Sequence, residues 1–400
     1  MQNLKNITFY PGFKTGTVSS PCSKSIAHRA LICAALAGGS LDLSDRSEDI
    51  EATLAALEVI KKCGSYINCK ESGSTLRFLI PVVAALGIEA SFSGEGSLRS
   101  RTIGLYHEIF EGKGVKFESE SGKLPASVKG KLTPGTFFMP GDITSQYITG
   151  LMLALPILGG DSDIILTSPL ESEPYVNMTI DVVKSFGVNI KKEAKGYHIA
   201  GNQSYKNTDF TVEGDYSQAA FFMCAGAING DITIKRLKPD SMQGDARIID
   251  ILNEFGAKVF FEGENLRAKK GENLKGIKID ASQIPDLAPV LSVVAAYAEG
   301  ETVIYNASRL RLKESDRIKS TCDLLKAIGA KAEETSDGIK IIGSGLKTLP
   351  GGFVNSFGDH RIAMSAAVAS LYTDNGVTVD DMSCMNKSYP MFLRDWEGLI

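Results

Sequence analysis

The sequence predicts an α/β protein of two domains, each built from three repeats. Three observations carry that expectation. The chain has 400 residues, too many for one hydrophobic core. Six Ala-rich apolar runs open on small or polar residues and close near Gly39, Gly87, Gly160, Gly230, Gly300 and Gly376. In the first five repeats an amphipathic segment follows and ends in another glycine, 25 residues on in the first (Gly39 to Gly64) and 29 in the fifth (Gly300 to Gly329).

The first run, "SSPCSKSIAHRALICAALAGGS", is apolar nearly all round and predicts a buried helix with Ser23 as N-cap and Gly38-Gly39 as its stop. Its partners are "SGSTLRFLIPVVAALG", "GDITSQYITGLMLALPILGG", "GDYSQAAFFMCAGAING", "IPDLAPVLSVVAAYAEG" and "GDHRIAMSAAVASLYTDNG". Strand-like pieces such as "DIILTS", "ITIKRL" and "TVIYNA" lie between the two helices of a repeat. The unit is therefore a buried helix, a strand, an outer amphipathic helix and further strands. A helix buried all round needs a closed bundle, which separates this pattern from a solenoid. The first repeat passes from "CGSYINCK" straight into "ESGSTLRF", so one hairpin is missing there.

Composition narrows the function. A net charge of -4 disfavours non-specific nucleic-acid binding, which needs a basic surface. No apolar run is long enough to span a membrane, and the N-terminus lacks a signal-peptide pattern. Seven scattered cysteines without a C-x-x-C predict reduced thiols in the cytoplasm. Four separated histidines show no zinc spacing, so no metal is expected.

The few polar residues of the apolar helices gather at their N-terminal ends. These are Lys24, Ser25 and Arg29; Ser72, Gly73, Ser74 and Arg77; Thr144, Ser145 and Gln146; Asp286; and Asp359, His360 and Arg361. If the helices of a domain run parallel, these ends converge, and free N–H groups with the helix dipoles make an anion site. Loops add Arg99, Arg101, Ser172, Tyr175, Arg309, Arg311, Lys313, Glu314, Arg317 and Lys387. Convergent Lys and Arg in an acidic protein point to small phosphate- or carboxylate-bearing ligands. The P-loop and G-x-G-x-x-G motifs are absent. Simpler readings stand beside these. Arg29 and Arg77 could pair with structural carboxylates, and Asp286 or Asp359 could cap helices. Glu314 and Asp316 could form helix-surface ion pairs, while His28 reads as a packing residue.

At "SKSIAHRA", "SGSTLRF", "TSQYITGLMLALP", "EGDYSQAAFF", "IPDLAP", "LKESDRI", "GDHRIAM" and "NKSYP" the chain resembles the 3-phosphoshikimate 1-carboxyvinyltransferases, the EPSP synthase family, along nearly its whole length. The resemblance implies two domains of three βαβαββ-type units with buried parallel helices and an active cleft between the domains. It assigns residues 1–19 with 213–400 to one domain and 20–212 to the other. It implies transfer of the enolpyruvyl group of phosphoenolpyruvate (PEP) to the 5-hydroxyl of shikimate 3-phosphate, releasing phosphate through a tetrahedral intermediate. The implied enzyme is a monomer without cofactor or metal.

By motif match, Lys24, Ser25, Arg29, Thr144, Ser145, Gln146 and Ser172 resemble shikimate 3-phosphate contacts, joined by Asp286, Arg309 and Lys313. Lys24, Gly73, Arg101, Gln146, Arg317, His360, Arg361 and Lys387 resemble PEP contacts. Asp286 matches the base on the shikimate hydroxyl, Glu314 the proton shuttle at the PEP methylene, and Lys24 completes the catalytic set. Departures are Glu71 and Ser72 where Asn and Ala are common, Thr102 where Pro is common, and Arg309 where Asn is common. A sister transferase acting on a UDP-linked amino sugar usually carries an early Lys-Asn pair and a reactive loop cysteine. Here the pair is Lys24-Ser25, and no cysteine lies between Cys69 and Cys224. A non-catalytic anion-binding protein would have no need of Asp286 and Glu314 together.

Overall fold

The computed structural model describes residues 4–400. After β1 (Lys5–Phe9) and β2 (Lys14–Ser19) come α1 (Lys24–Leu36), α2 (Glu48–Lys61), β3 (Tyr66–Asn68), α3 (Gly73–Leu86) and β4 (Ala90–Ser93). Next are α4 (Leu105–Ile109), β5 (Val115–Glu120), β6 (Lys123–Gly130), β7 (Thr136–Met139), α5 (Ser145–Ala154), β8 (Ser162–Leu166), α6 (Glu173–Ser185), β9 (Lys191–Glu193) and β10 (Gly196–Ile199). The second half holds α7 (Tyr216–Asn229), β11 (Gly230–Lys235), α8 (Ile248–Phe255), β12 (Lys258–Glu262), β13 (Asn265–Lys269), β14 (Lys278–Asp280), α9 (Ala288–Tyr297) and β15 (Glu301–Tyr305). It closes with α10 (Arg317–Ala327), β16 (Lys331–Glu334), β17 (Ile339–Ile342), β18 (Gly352–Val354), α11 (His360–Ala369), β19 (Val377–Asp381) and α12 (Phe392–Glu397). Two compact units result: Ser23–Val212, and Glu213–Ile400 together with the chain up to Cys22. Among the described residues no helix is long and apolar enough to cross a membrane.

One repeat shows the logic. β7 runs parallel to β8, because a helical crossover, here α5, returns the chain in the same direction. After α6 the short hairpin β9–β10 folds back antiparallel, giving the order β7-β8-β10-β9. The orders β3-β4-β6-β5, β14-β15-β17-β16 and β2-β11-β13-β12 repeat it strand for strand. In the last of these the opening strand is β2, paired in parallel with β11 from Lys14↔Gly230 to Ser19↔Lys235. The final repeat has no hairpin of its own; β1 pairs antiparallel with β19, giving β1-β19-β18.

The first repeat departs further than the sequence suggested. Besides the missing hairpin, no strand lies between α1 and α2 among the described residues; "LDLSDRS" is a loop. A strand needs neighbours to satisfy its backbone groups. Without the hairpin there is no ladder to join, and β3 opens the next repeat's sheet, as β7 opens its own.

The apolar runs are the cores of the two units. Within Ser23–Val212, α1 packs on α2 and α6, α3 on α5, and α5 on α6; in the other unit α7, α9 and α11 pack together. The α3–α5 contact follows from two residue choices. Pro81 has no N–H, so the Arg77 carbonyl one turn earlier loses its helical donor. The buried Tyr106 hydroxyl donates to that carbonyl at 2.5 Å. Gly150 then lets α5 approach, since a Cβ there would lie 2.4 Å from the same oxygen. This brings the first turns of α3 and α5 into contact.

Candidate active site

In the unit Ser23–Val212 polar helix starts meet in pairs, α1 with α2 and α3 with α5. Lys24, the first residue of α1, places Nζ 2.7 Å from Oδ2 of Asp49 in the first turn of α2. Ser72 caps α3, accepting from the Thr75 N–H at 3.2 Å, and Thr144 caps α5, accepting from the Gln146 N–H at 3.3 Å. Arg77 Nη1 donates to Gln146 Oε1 at 2.8 Å, and Gln146 Nε2 donates to Ser74 Oγ at 3.0 Å. A Cβ on Gly73 would lie 2.9 Å from Arg101 Nη1 and 3.0 Å from Arg77 Nη1. Two guanidinium groups therefore crowd the α3 N-terminus at Gly73, with Gln146 beside them.

Arg77 is buried, and its hydrogen bonds go to two neutral oxygens, Gln146 Oε1 and the Thr102 carbonyl. Its Nε has no hydrogen-bond partner among the described residues. Burial, then the neighbouring Arg101, disfavour its charged form, against the opposing pull of Tyr147. A desolvated cation held only by neutral acceptors is costly, and an arriving anion relieves it. Arg29 is engaged differently: Nε donates to Thr179 Oγ1, Nη1 to the Ser25 carbonyl, and Nη2 to Thr149 Oγ1 and the Tyr175 carbonyl. It ties α1 to α5 and α6, while Ser25 and Ser145 stand in the first turns of α1 and α5. Ser172 heads α6 at φ 56° and ψ 37°, a left-handed conformation that costs about 1–3 kcal/mol for a non-glycine residue. Such outliers cluster where a loop must present a particular group.

The other unit gathers an ion cluster. Asp286 does not cap α9; it sits in a single turn before that helix, with no capping bond from its side chain. Its Oδ1 accepts from Arg317 Nη1 at 2.9 Å and lies 3.5 Å from Lys313 Nζ, and its Oδ2 accepts from Arg361 Nη2 at 3.1 Å. Arg317, 1% exposed, also donates Nη2 to Glu314 Oε2 at 2.7 Å and grips Asp359 through Nε at 2.8 Å and Nη2 at 3.2 Å. Asp359 caps α11 through the Arg361 N–H as well. Glu314 and Asp316, alike in sequence, part ways: Asp316 caps α10 and pairs with the half-buried Arg311, whereas Glu314 turns to Arg317. Arg309 donates to the Ser282 carbonyl at 2.7 Å. His360, the first residue of α11, and Lys387 are buried.

Burial pushes the Asp286 carboxyl up, but Arg361, Lys313 and Arg317 outweigh it and hold the group well below the usual carboxylate range. Burial lowers the Lys313 ammonium, partly offset by Asp286. Sequence reasoning missed two carboxyls. Asp49 reads as an ordinary acidic first-turn residue; its buried neighbours Ile50, Ala52 and Thr53 were the available signal. Asp245, in "QGDAR", is buried with Oδ2 bonded to Ser217 Oγ. Burial, and then the charge of Asp286, push it up to about 7. Among the described residues no group of three or more His, Cys, Asp or Glu side chains could hold a metal ion. The arrangement offers cations for small polyanions and a pair of carboxylates, Asp286 and Glu314, bridged by one guanidinium.

The model of the EPSP synthase (3-phosphoshikimate 1-carboxyvinyltransferase) family matches residues 59–396. The 3-phosphoshikimate 1-carboxyvinyltransferase of Clostridium novyi (strain NT) is 42% identical over 98% of this chain and 97% of its own. That of Clostridium acetobutylicum is 44% identical over 96% and 95%. Among solved structures, an EPSP synthase from Acinetobacter baumannii aligns with a TM-score of 0.83 and 26% identity over 98% of each chain. The enolpyruvyl transferase NikO from Streptomyces tendae, 18% identical over 98% of this chain and 97% of its own, shares the fold at a TM-score of 0.75.

Proposed function

The chain belongs to the EPSP synthase (3-phosphoshikimate 1-carboxyvinyltransferase) family, and on that premise we propose how its residues divide the reaction. The enzyme is a transferase of aromatic amino acid biosynthesis. It moves the enolpyruvyl group of PEP to the 5-hydroxyl of shikimate 3-phosphate, giving 5-enolpyruvylshikimate 3-phosphate and phosphate. We infer a cytoplasmic monomer, with the compartment suggested by seven scattered cysteines without a C-x-x-C.

The 3-phosphate of shikimate 3-phosphate binds Lys24, Ser25, Thr144, Ser145, Gln146 and Ser172, with Arg29 holding the three helices behind them. The PEP phosphate binds Lys24, the Gly73 end of α3, Arg101 and Gln146, joined by Arg77. The PEP carboxylate binds Arg317 and Arg361, supported by His360 and Lys387. Asp286, with Lys313 and Arg309 near it, faces the shikimate ring.

In the addition, Asp286 takes the proton of the 5-hydroxyl as that oxygen bonds to the central carbon of PEP, and Glu314 protonates the methylene to a methyl group. Elimination returns the methyl proton to Glu314 as phosphate leaves, and the proton that Asp286 took from the hydroxyl departs with the phosphate, which restores both carboxylates. Asp286 starts as a poor base because three cations hold it ionised. Once Arg317 and Arg361 engage the PEP carboxylate, their hold on Asp286 weakens and its basicity rises toward what the proton transfer needs. One observation carries this reading: the buried Arg317 donates to both Asp286 and Glu314, at 2.9 and 2.7 Å. A coupled assay should find phosphate released from PEP only when shikimate 3-phosphate is present. Release driven by a UDP-linked amino sugar instead would overturn the assignment.

A further inference from the structure

Behind the first turns of α1, α2 and α3 runs a buried chain of four side chains. His28 Nδ1 lies 2.7 Å from Thr53 Oγ1, and Thr53 Oγ1 lies 2.6 Å from Thr75 Oγ1. Thr75 Oγ1 donates to Ser72 Oγ at 2.7 Å, the same oxygen that caps α3. His28 is 1% exposed, and Thr53, Thr75 and Ser72 are 0% exposed. Each member lies next to a residue already placed in the site or one turn below it. His28 is four residues past Lys24, Thr53 four past Asp49, Ser72 precedes Gly73 and Thr75 follows it by two.

The protons can be counted along the chain. A hydroxyl has one proton to give. Thr75 gives its own to Ser72, so the proton between Thr75 and Thr53 belongs to Thr53; the 3.4 Å approach of Thr53 Oγ1 to the Asp49 carbonyl is the weaker alternative. The proton between Thr53 and His28 must then sit on the imidazole Nδ1. That leaves His28 Nε2 as a bare acceptor, and it has no hydrogen-bond partner among the described residues. The ring packs perpendicular to Phe78, with ring centroids 6.3 Å apart. Burial holds His28 neutral, far below its usual range at about 3; the nearby Asp49 opposes this, while Lys24 and Arg29 reinforce it. A neutral imidazole with a fixed tautomer is what a one-directional chain requires.

We propose that His28, Thr53 and Thr75 are positioning residues that fix the register of three helix starts, so that Lys24 and the α3 N-terminus at Gly73 present one pocket to the PEP phosphate. The inference rests on the function proposed above. It makes the α3 end of the chain, Ser72 and Thr75, a determinant of PEP affinity, separate from the contacts assigned to shikimate 3-phosphate, which lie on α1, α5 and α6.

The test pairs Thr75→Val, which keeps shape and removes the hydroxyl, with Thr75→Ser, which keeps the hydroxyl. Loss of one hydrogen bond's worth of preorganisation should raise KM for PEP about tenfold in the valine variant. KM for shikimate 3-phosphate and kcat should stay within about twofold, and the serine variant should restore the wild-type value. A valine variant with unchanged KM for PEP, or with both KM values raised alike, overturns the proposal. A second measurement needs no substrate and no variant. Nitrogen-15 spectra of the wild-type protein should show His28 as the neutral Nδ1–H tautomer from pH 5 to 8. An Nε2–H tautomer, or titration near pH 6.5, overturns the chain itself. A wild-type protein that keeps the tautomer but releases no phosphate from PEP and shikimate 3-phosphate would instead refute the assigned reaction.

Discussion

Arg317 Nη1 stands 2.9 Å from Asp286 Oδ1, and the guanidinium that makes this bond is 1% exposed. The candidate base is thus ionised and held in place by a buried guanidinium. Arg317 also contacts Glu314 and Asp359, so the geometry of both candidate acid–base carboxylates depends on one side chain.

Asp286→Asn keeps the size of the side chain and removes its basicity. Turnover should fall by about 100-fold or more, the usual share of a positioned acid–base group. KM for either substrate should change far less. Steady-state kinetics with each substrate varied in turn check this; near wild-type kcat would remove Asp286 from its role.

Gly73→Ala sets a methyl carbon 2.9 Å from Arg101 Nη1 and 3.0 Å from Arg77 Nη1, closer than ordinary contact. Both guanidinium ends must shift. KM for PEP should rise by about tenfold or more, since tenfold corresponds to about 1.4 kcal/mol. KM for shikimate 3-phosphate should hold. Equal rises in both would show that the α3 terminus serves both substrates.

Gly150→Ala forces α5 from α3, because its Cβ would lie 2.4 Å from the Arg77 carbonyl oxygen. Overpacking of this kind costs about 1–3 kcal/mol. The urea midpoint should fall, and PEP affinity with it, because Gln146 and Arg77 lie on the two separated helices. Unchanged stability would contradict the packing argument.

Asp245 makes stability depend on pH. Its carboxyl is raised to about 7 in the fold, from about 3.9 in an unfolded chain. Between those values the folded state binds the extra proton, so stability falls as pH rises through this window. Asp286, held below its usual range, is ionised in both states there and drops out of the comparison. Asp245→Asn should therefore lose less stability than the wild type between pH 5 and pH 8, by up to a few kcal/mol. Parallel urea curves at the two pH values for both proteins would refute this.

The buried helices were legible because being apolar all round, with glycine stops, is a local property of the chain. The partners of β1 and β2 were not, since they pair with strands more than 200 residues away, and only the family resemblance pointed to them. The loop between α1 and α2 escaped prediction because strand formation depends on a hairpin that is elsewhere in the pattern. Among site residues, Asp286 and Arg361 stood out by position, whereas Glu314 and Asp316 could be separated only by seeing which one meets Arg317. Asp49 and Asp245 look like ordinary helix-start acids. What sets them apart is burial, and burial of a single polar residue is decided by tertiary packing. His28 was expected to pack, and its hydrogen bond to Thr53 could not be foreseen from α1 alone.

The proton transfer assigned to Glu314 is tested most directly by turnover in heavy water. Protonation of the PEP methylene followed by its reversal must place solvent deuterium in the enolpyruvyl methylene of the product. The wild-type enzyme should incorporate it, and Glu314→Gln should slow both incorporation and phosphate release by about 100-fold or more. Deuterium entering at the wild-type rate in Glu314→Gln would contradict the account.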